Sequence, residues 1–128
     1  MNCLIDTNRY RDFCDGDETT IALFRKAESI AVPFVVLAEL RAGFACGKKT
    51  LENDKVLMRF LNKPRVGVLY PDEGTTHQYA SLYRQLRSQG TPIPTNDIWI
   101  AALAIQHGLL LCTRDTHFEK LPQLPILS

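Results

Sequence analysis

Four carboxylates stand out for where they fall along the 128-residue chain. Asp6 directly follows the apolar run of Leu4 and Ile5, and Asp115 lies three residues past Cys112 in CTRD. Glu39 sits in VVLAELRAG, where Leu40 follows it and five of the six preceding residues are apolar. A buried carboxylate costs several kcal/mol unless it is paired, hydrogen-bonded or bound to metal, so Glu39 is expected to be buried with a partner. Asp97 opens an apolar segment, where a helix dipole favours negative charge. Taken singly, Asp97 is as readily a simple cap and Asp6 or Asp115 a turn residue, whereas Glu39 is the stronger signal against a mere surface residue; the weight comes from their joint placement. Brought together, four carboxylates repel one another and call for a cation. An oxygen-only ligand set prefers a hard ion such as Mg2+ or Mn2+. Such an ion lowers the pKa of a bound water and stabilises charge on a scissile phosphate, and two ions about 4 Å apart serve both sides of the displacement. The expected chemistry is phosphodiester hydrolysis by a metal-activated water.

The elements must bring these acids to one place. Cys3 to Ile5, Ile30 to Val32, Val66 to Leu69 and Leu109 to Cys112 read as short buried strands. Helices are expected over Asp17 to Glu28, capped by Asp17 or Thr19, and from Pro33 through Phe44, closed by Gly43 or Gly47. Further helices are expected over Lys48 to Lys63, over Asp72 to Ser88 with Gly90 as its stop, and over Ile98 to Gln106. Thr95 and Asn96 are expected to cap the last of these, with Gly108 at its end. The tail, Leu121 to Leu127, is at most an edge strand because it carries two prolines. Alternating strands and helices imply an open parallel sheet covered on both faces. Ligands of such sheets bind beyond the carboxyl ends of the strands, where Asp6 and Asp115 fall.

Composition narrows the remaining classes. With 45% hydrophobic and 23% charged residues the chain is an ordinary globule, read as a single domain over 1–128. The formal charge of +1 leaves any polyanion to be met by a local patch. Lys48, Lys49, Lys55, Arg59, Lys63 and Arg65 form such a patch, either a solvated face or a phosphate contact. Cys3, Cys14, Cys46 and Cys112 form no CxxC pair and read as small buried hydrophobes or spare thiols. His77, His107 and His117 match no ligand spacing and are read as structural. No GxGxxG, GxxxxGK[ST] or GxSxG is present, which argues against nucleotide-binding loops and a serine hydrolase. MNCLIDTN lacks the features of a signal peptide and no apolar run reaches about 20 residues, so a cytoplasmic protein without a membrane segment is expected.

The opening LIDTN, the acid of VVLAELRAG, the late NDIWIAALAIQHG and the strand plus acid of LLLCTRDTHF together resemble the PIN-domain ribonucleases, particularly VapC-like toxins of toxin-antitoxin pairs. The resemblance covers essentially the whole chain. It implies a three-layer α/β/α fold with a central, mostly parallel sheet of four or five short strands. It also implies that Asp6, Glu39, Asp97 and Asp115 are the acidic metal-binding and catalytic residues, supported by Asn8 and Thr113. The implied activity is endonucleolytic RNA cleavage with Mg2+ or Mn2+. The implied partners are RNA, a cognate antitoxin whose tail blocks the acidic groove, and a second copy in a homodimer. Arg9 and Arg11 follow DTN where many relatives carry aliphatic residues, which bears on RNA or partner contacts. His117 stands where some relatives have an additional acid, which bears on a second metal. Two other classes compete. One is a catalytically inactive PIN-like module that binds RNA or a partner protein. The other is an aspartyl-nucleophile phosphatase, whose DxD pattern fails here because Asn8 stands two residues after Asp6.

Overall fold

Cys3, Leu4 and Ile5 are all without solvent exposure, a burial that a strand reaches only when both of its faces are covered. They belong to β1 (Asn2–Ile5), the centre of the sheet. The computed structural model describes residues 1–128 and continues with α1 (Thr7–Cys14), α2 (Glu18–Lys26), β2 (Ser29–Pro33), α3 (Phe34–Cys46), α4 (Thr50–Leu61) and β3 (Val66–Leu69). After these come α5 (Glu73–Gln89), α6 (Thr95–His107), β4 (Leu110–Cys112), a 3-10 turn (Thr116–Lys120) and β5 (Ile126–Leu127). The architecture is the three-layer α/β/α arrangement, with five strands in the order β3-β2-β1-β4-β5. Every strand pairing is parallel.

That order reverses at β1. The chain steps outward through β2 to β3, then crosses back to lay β4 on the other side of β1. Connections leaving β1 and β4 therefore diverge, and the crevice of the fold opens above those two strands. Register pairs Ile5 with Cys112, so the residues that follow, Asp6 and Thr113, emerge side by side.

Most expected elements are present, and β3 has the expected bounds. Three local differences have clear causes. Residues 7 to 14 form α1, which the sequence did not announce because only Arg9 and Tyr10 of that helix are buried and no apolar stripe results. It forms because the Asp6 side chain accepts from Arg9 N, capping the first turn. Second, α6 begins at Thr95, so Thr95 and Asn96 lie inside it and are not its caps. Pro94 takes the cap position, and its carbonyl accepts from Asp97 N at 3.0 Å and Ile98 N at 3.2 Å. Third, Phe118 is only 1% exposed and pins a 3-10 turn against the core, where no element was expected.

Ile98 and Ile100 through Ala104 are all buried, so α6 is wrapped nearly all round by the rest of the protein. Its N-terminal end is fixed by aromatic contacts: Trp99 meets Phe34 of α3 with ring centroids 6.2 Å apart and Tyr79 of α5 at 4.4 Å. Cys3 and Cys112 are buried side by side in the sheet, whereas Cys14 and Cys46 are exposed.

Candidate active site

Asp6, Glu39, Asp97 and Asp115 line one open cavity of about 380 Å³ above β1 and β4, together with Asn8 and Arg11. A larger cavity of about 470 Å³, floored by Phe13, Phe24 and Phe60, contains no acid. Chemistry therefore selects the smaller one.

Each acid arrives by a different route. Asp6 ends the central strand and is only 6% exposed. Its Oδ1 accepts from Arg9 N at 2.9 Å, and its Oδ2 accepts from the Thr113 hydroxyl. The Thr113 hydroxyl also accepts from Asp115 N at 2.9 Å, so one buried threonine ties the ends of β1 and β4 together. Asp115 caps the 3-10 turn by accepting from His117 N at 2.9 Å. The loop carrying it is held to α1 by a two-bond contact from Arg114 to Asp12, at 2.9 and 2.7 Å. Asp97 sits on the first turn of α6. Asn8 is an exposed residue of α1 on the cavity wall.

Glu39 differs from expectation. It is exposed, because the buried face of α3 is formed by Val35, Val36, Leu37 and Leu40 and leaves Ala38 and Glu39 outward. Glu39 is therefore not the buried acid that its apolar neighbours suggested, and it reaches the cavity rim from the outer face of the helix. Its Oε1 accepts from the Thr7 hydroxyl at 2.9 Å.

Arg9 is a second correction. Arg9 and Arg11 were both expected to bear on RNA or partner contacts, but the Arg9 side chain is only 3% exposed. It pairs with Asp12 at 3.6 Å and donates to the Thr20 hydroxyl at 3.2 Å, while its Nε has no partner. Arg11 is the exposed one, and it is the single cationic residue on the cavity wall.

His117, read as structural, stands among the acids. Its Nδ1 lies 2.9 Å from Asp97 Oδ2 and 3.2 Å from Asp115 Oδ1. Asp97, Asp115 and His117 each offer a ligand atom, all within 4.8 Å of one another. No motif spacing flags a histidine twenty residues after its carboxylate partner; the resemblance marked the position as one where some relatives have an additional acid, and the packing of α6 against the 3-10 turn brings the ring onto Asp97.

Two of the four acids are harder to ionise than ordinary carboxylates. Burial raises the pKa of Asp6 above the usual carboxylate value, even though Thr113 and the Arg9 backbone donate to it. Burial also raises that of Asp97; the charges of Asp115 and Glu39 act in the same direction and His117 opposes them. A concave, oxygen-rich donor set whose buried members resist ionisation fits a divalent cation.

The comparisons agree with this geometry. The family model described as PIN domain matches residues 3–124. Ribonuclease VapC2 of Rickettsia felis is 30% identical over 123 residues, which are 95% of this chain and 88% of that protein. Ribonuclease VapC4 of Mycobacterium tuberculosis is 30% identical over 97 residues, covering 76% of this chain and 75% of that one. Among solved structures, VapBC2 from Rickettsia felis bound to a DNA fragment from its promoter superposes with a TM-score of 0.86 at 28% identity, covering 99% and 98% of the two chains. VapBC-1 from nontypeable Haemophilus influenzae shares the fold with a TM-score of 0.89 at 23% identity, covering 100% and 98%. With the family model matching residues 3–124 and the sheet order and acid-lined crevice in place, the chain belongs to the PIN-domain family.

Proposed function

We propose that this protein is a metal-dependent endoribonuclease, the toxin of a toxin-antitoxin pair, and that Asp6, Glu39, Asp97 and Asp115 form its catalytic site. The observation that carries the reading is the convergence of these four acids on one cavity, in a family member whose relatives are named as VapC ribonucleases. Mg2+ or Mn2+ is the cofactor of this reading. When bound, the ion supplies Lewis acidity and a water acidic enough to attack phosphorus near neutral pH.

The protein's own groups supply the rest. Thr113 and the Arg9 backbone fix the Asp6 carboxylate, so it presents its oxygens without reorganisation. Thr7 aims Glu39 across the cavity from α1. Asn8 offers an exposed amide on the wall. Arg11 offers the one positive charge there that can meet a phosphate, and a guanidinium can pair two of its oxygens at once. Net charge is too small to draw RNA from a distance, so recognition rests on such local contacts. Lys48, Lys49, Lys55 and Lys63 of the α4 region are exposed and offer further positive charge to an RNA backbone. The partner of this reading is an antitoxin encoded beside the toxin, and the fold-wide likeness to a VapBC complex supports it.

Cleavage of a fluorescent RNA by purified protein, with and without divalent ion, tests the function. Asp6→Asn and Asp97→Asn should each lower the rate by about 100-fold or more while leaving the circular dichroism spectrum unchanged. Equal cleavage by both variants and wild type would refute it.

A further inference from the structure

The His117 imidazole lies between two carboxylates and is part of neither the acidic quartet nor the core. Its Nδ1 is 2.9 Å from Asp97 Oδ2 and 3.2 Å from Asp115 Oδ1, and those bonds compete for one ring proton. Ligand atoms around a shared ion, with bonds of about 2.1 Å and angles between about 90° and 109°, are separated by about 3.0 to 3.4 Å. The two measured spacings fall close to that range, and the full set of three donor atoms spans no more than 4.8 Å.

The ring is also rigidly offered. Asp115 caps the turn by accepting from His117 N at 2.9 Å, and the next side chain, Phe118, is anchored at 1% exposure. Asp97 stands on the first turn of α6, the most enclosed helix of the fold. An imidazole held between a capped turn and a core helix loses little freedom on binding an ion. The His117 side chain is half exposed and its Nδ1 touches Asp97 and Asp115, both on the cavity wall, so an ion held by those two acids is within its reach.

We propose that His117 is a nitrogen ligand of the divalent ion in this site, and that its imidazole tilts the site toward Mn2+ over Mg2+. The inference rests on the metal-nuclease reading given above. Its physical basis is ligand softness. Mg2+ is hard, sheds water reluctantly and is served best by oxygen, whereas Mn2+ accepts a mixed set of carboxylate and imidazole more readily. A His117→Asp replacement would restore an all-oxygen set and move the preference back.

Pulsed electron paramagnetic resonance of the full chain loaded with Mn2+ reads the ligand directly, because a coordinated imidazole nitrogen modulates the electron spin echo. The wild type should show this nitrogen signature. His117→Asp and His117→Gln should lose it, with His117→Asp still binding Mn2+. Competition titrations should show the ratio of Mn2+ to Mg2+ affinity falling about tenfold in His117→Asp. Mn2+ bound in an Asp97-dependent way without the nitrogen signature would overturn the role of His117 and leave the nuclease reading standing. A nitrogen signature that persists in both His117 variants would overturn it equally. Absence of Mn2+ and Mg2+ binding, or binding indifferent to Asp6→Asn and Asp97→Asn, would overturn both.

Discussion

Under the proposed function a carboxylate that serves a metal has to be held in place without being neutralised, and Asp6 and Asp97 are held by different means. Asp6 is fixed by two donors, one of them the amide that starts α1, so the same side chain builds a helix and faces the cavity. Asp97 has only His117 beside it, with Asp115 and Glu39 adding repulsion. Its folded-state pKa lies above the ordinary 3.8 chiefly through burial. The folded protein then binds that proton more tightly than the unfolded chain, so stability falls as pH rises through the window between the two values and stays lower above it. Asp97→Asn should therefore stabilise the metal-free protein at pH 7 while abolishing cleavage. The gain is read as a rise in Tm of the variant over the wild type at pH 7. Thermal melts in EDTA check it: the gain should shrink as pH approaches 3.8, and equal gains at pH 7 and pH 4 would count against the burial account. Arg9 shows the opposite case, a charge placed inside the protein and matched by Asp12 and Thr20.

At the scale of elements, the site is assembled from element ends: the start of α1, the first turn of α6 and the cap of the 3-10 turn, with Glu39 alone projecting from a helix middle. Helix starts present unpaired amides and a favourable dipole, which is where anionic side chains are best tolerated. The opposite end of α6 is closed by Gly108 in the left-handed conformation, φ +62°, and a Cβ there would meet nothing within 4 Å. Gly108→Ala thus tests backbone strain alone. It should cost about 1 kcal/mol, or about 4 °C in Tm, with divalent-ion affinity unchanged because the substitution lies at the far end of the helix from Asp97. Denaturation paired with ion titration separates the two; a large loss of ion affinity would mean that the α6 ends are coupled. Helix interiors were readable from apolar spacing, as in α5, whose Leu82 and Leu86 are buried. The starts of α1 and α6 were not, because a cap made by Asp6 or by a proline carbonyl leaves no periodic trace.

For the whole molecule, the decisive feature is the reversal of strand order at β1, which brings Asp6 from the first strand beside Asp115 from near the other end of the chain. Convergence of like charges is a cost in the free protein, and an ion bound only to the folded state offsets it by mass action. Mn2+ or Mg2+ at 100 times its dissociation constant should add about 2.7 kcal/mol of stability to the wild type. Differential scanning fluorimetry with and without EDTA measures this; the shift should vanish in Asp97→Asn, and a shift retained there would locate the ion elsewhere. No helix is long and apolar enough to cross a membrane.

The sequence by itself determined that strands alternate with helices, that the sheet is parallel and covered on both faces, and that Asp6 and Asp115 lie beyond strand ends. Those features follow from local rules: apolar run length, helical spacing, and the breaks made by glycine and proline. It misjudged Glu39 because apolar neighbours along a helix do not say which face turns inward, and that depends on what the helix packs against. It missed the burial of Arg9 and the seat of His117 for the same reason. A charged residue is buried, or brought beside a carboxylate twenty positions away, only by the packing of separate elements. The acids were thus legible through their joint placement along the chain, and the tertiary structure decided the cavity they share and set the imidazole between two of them.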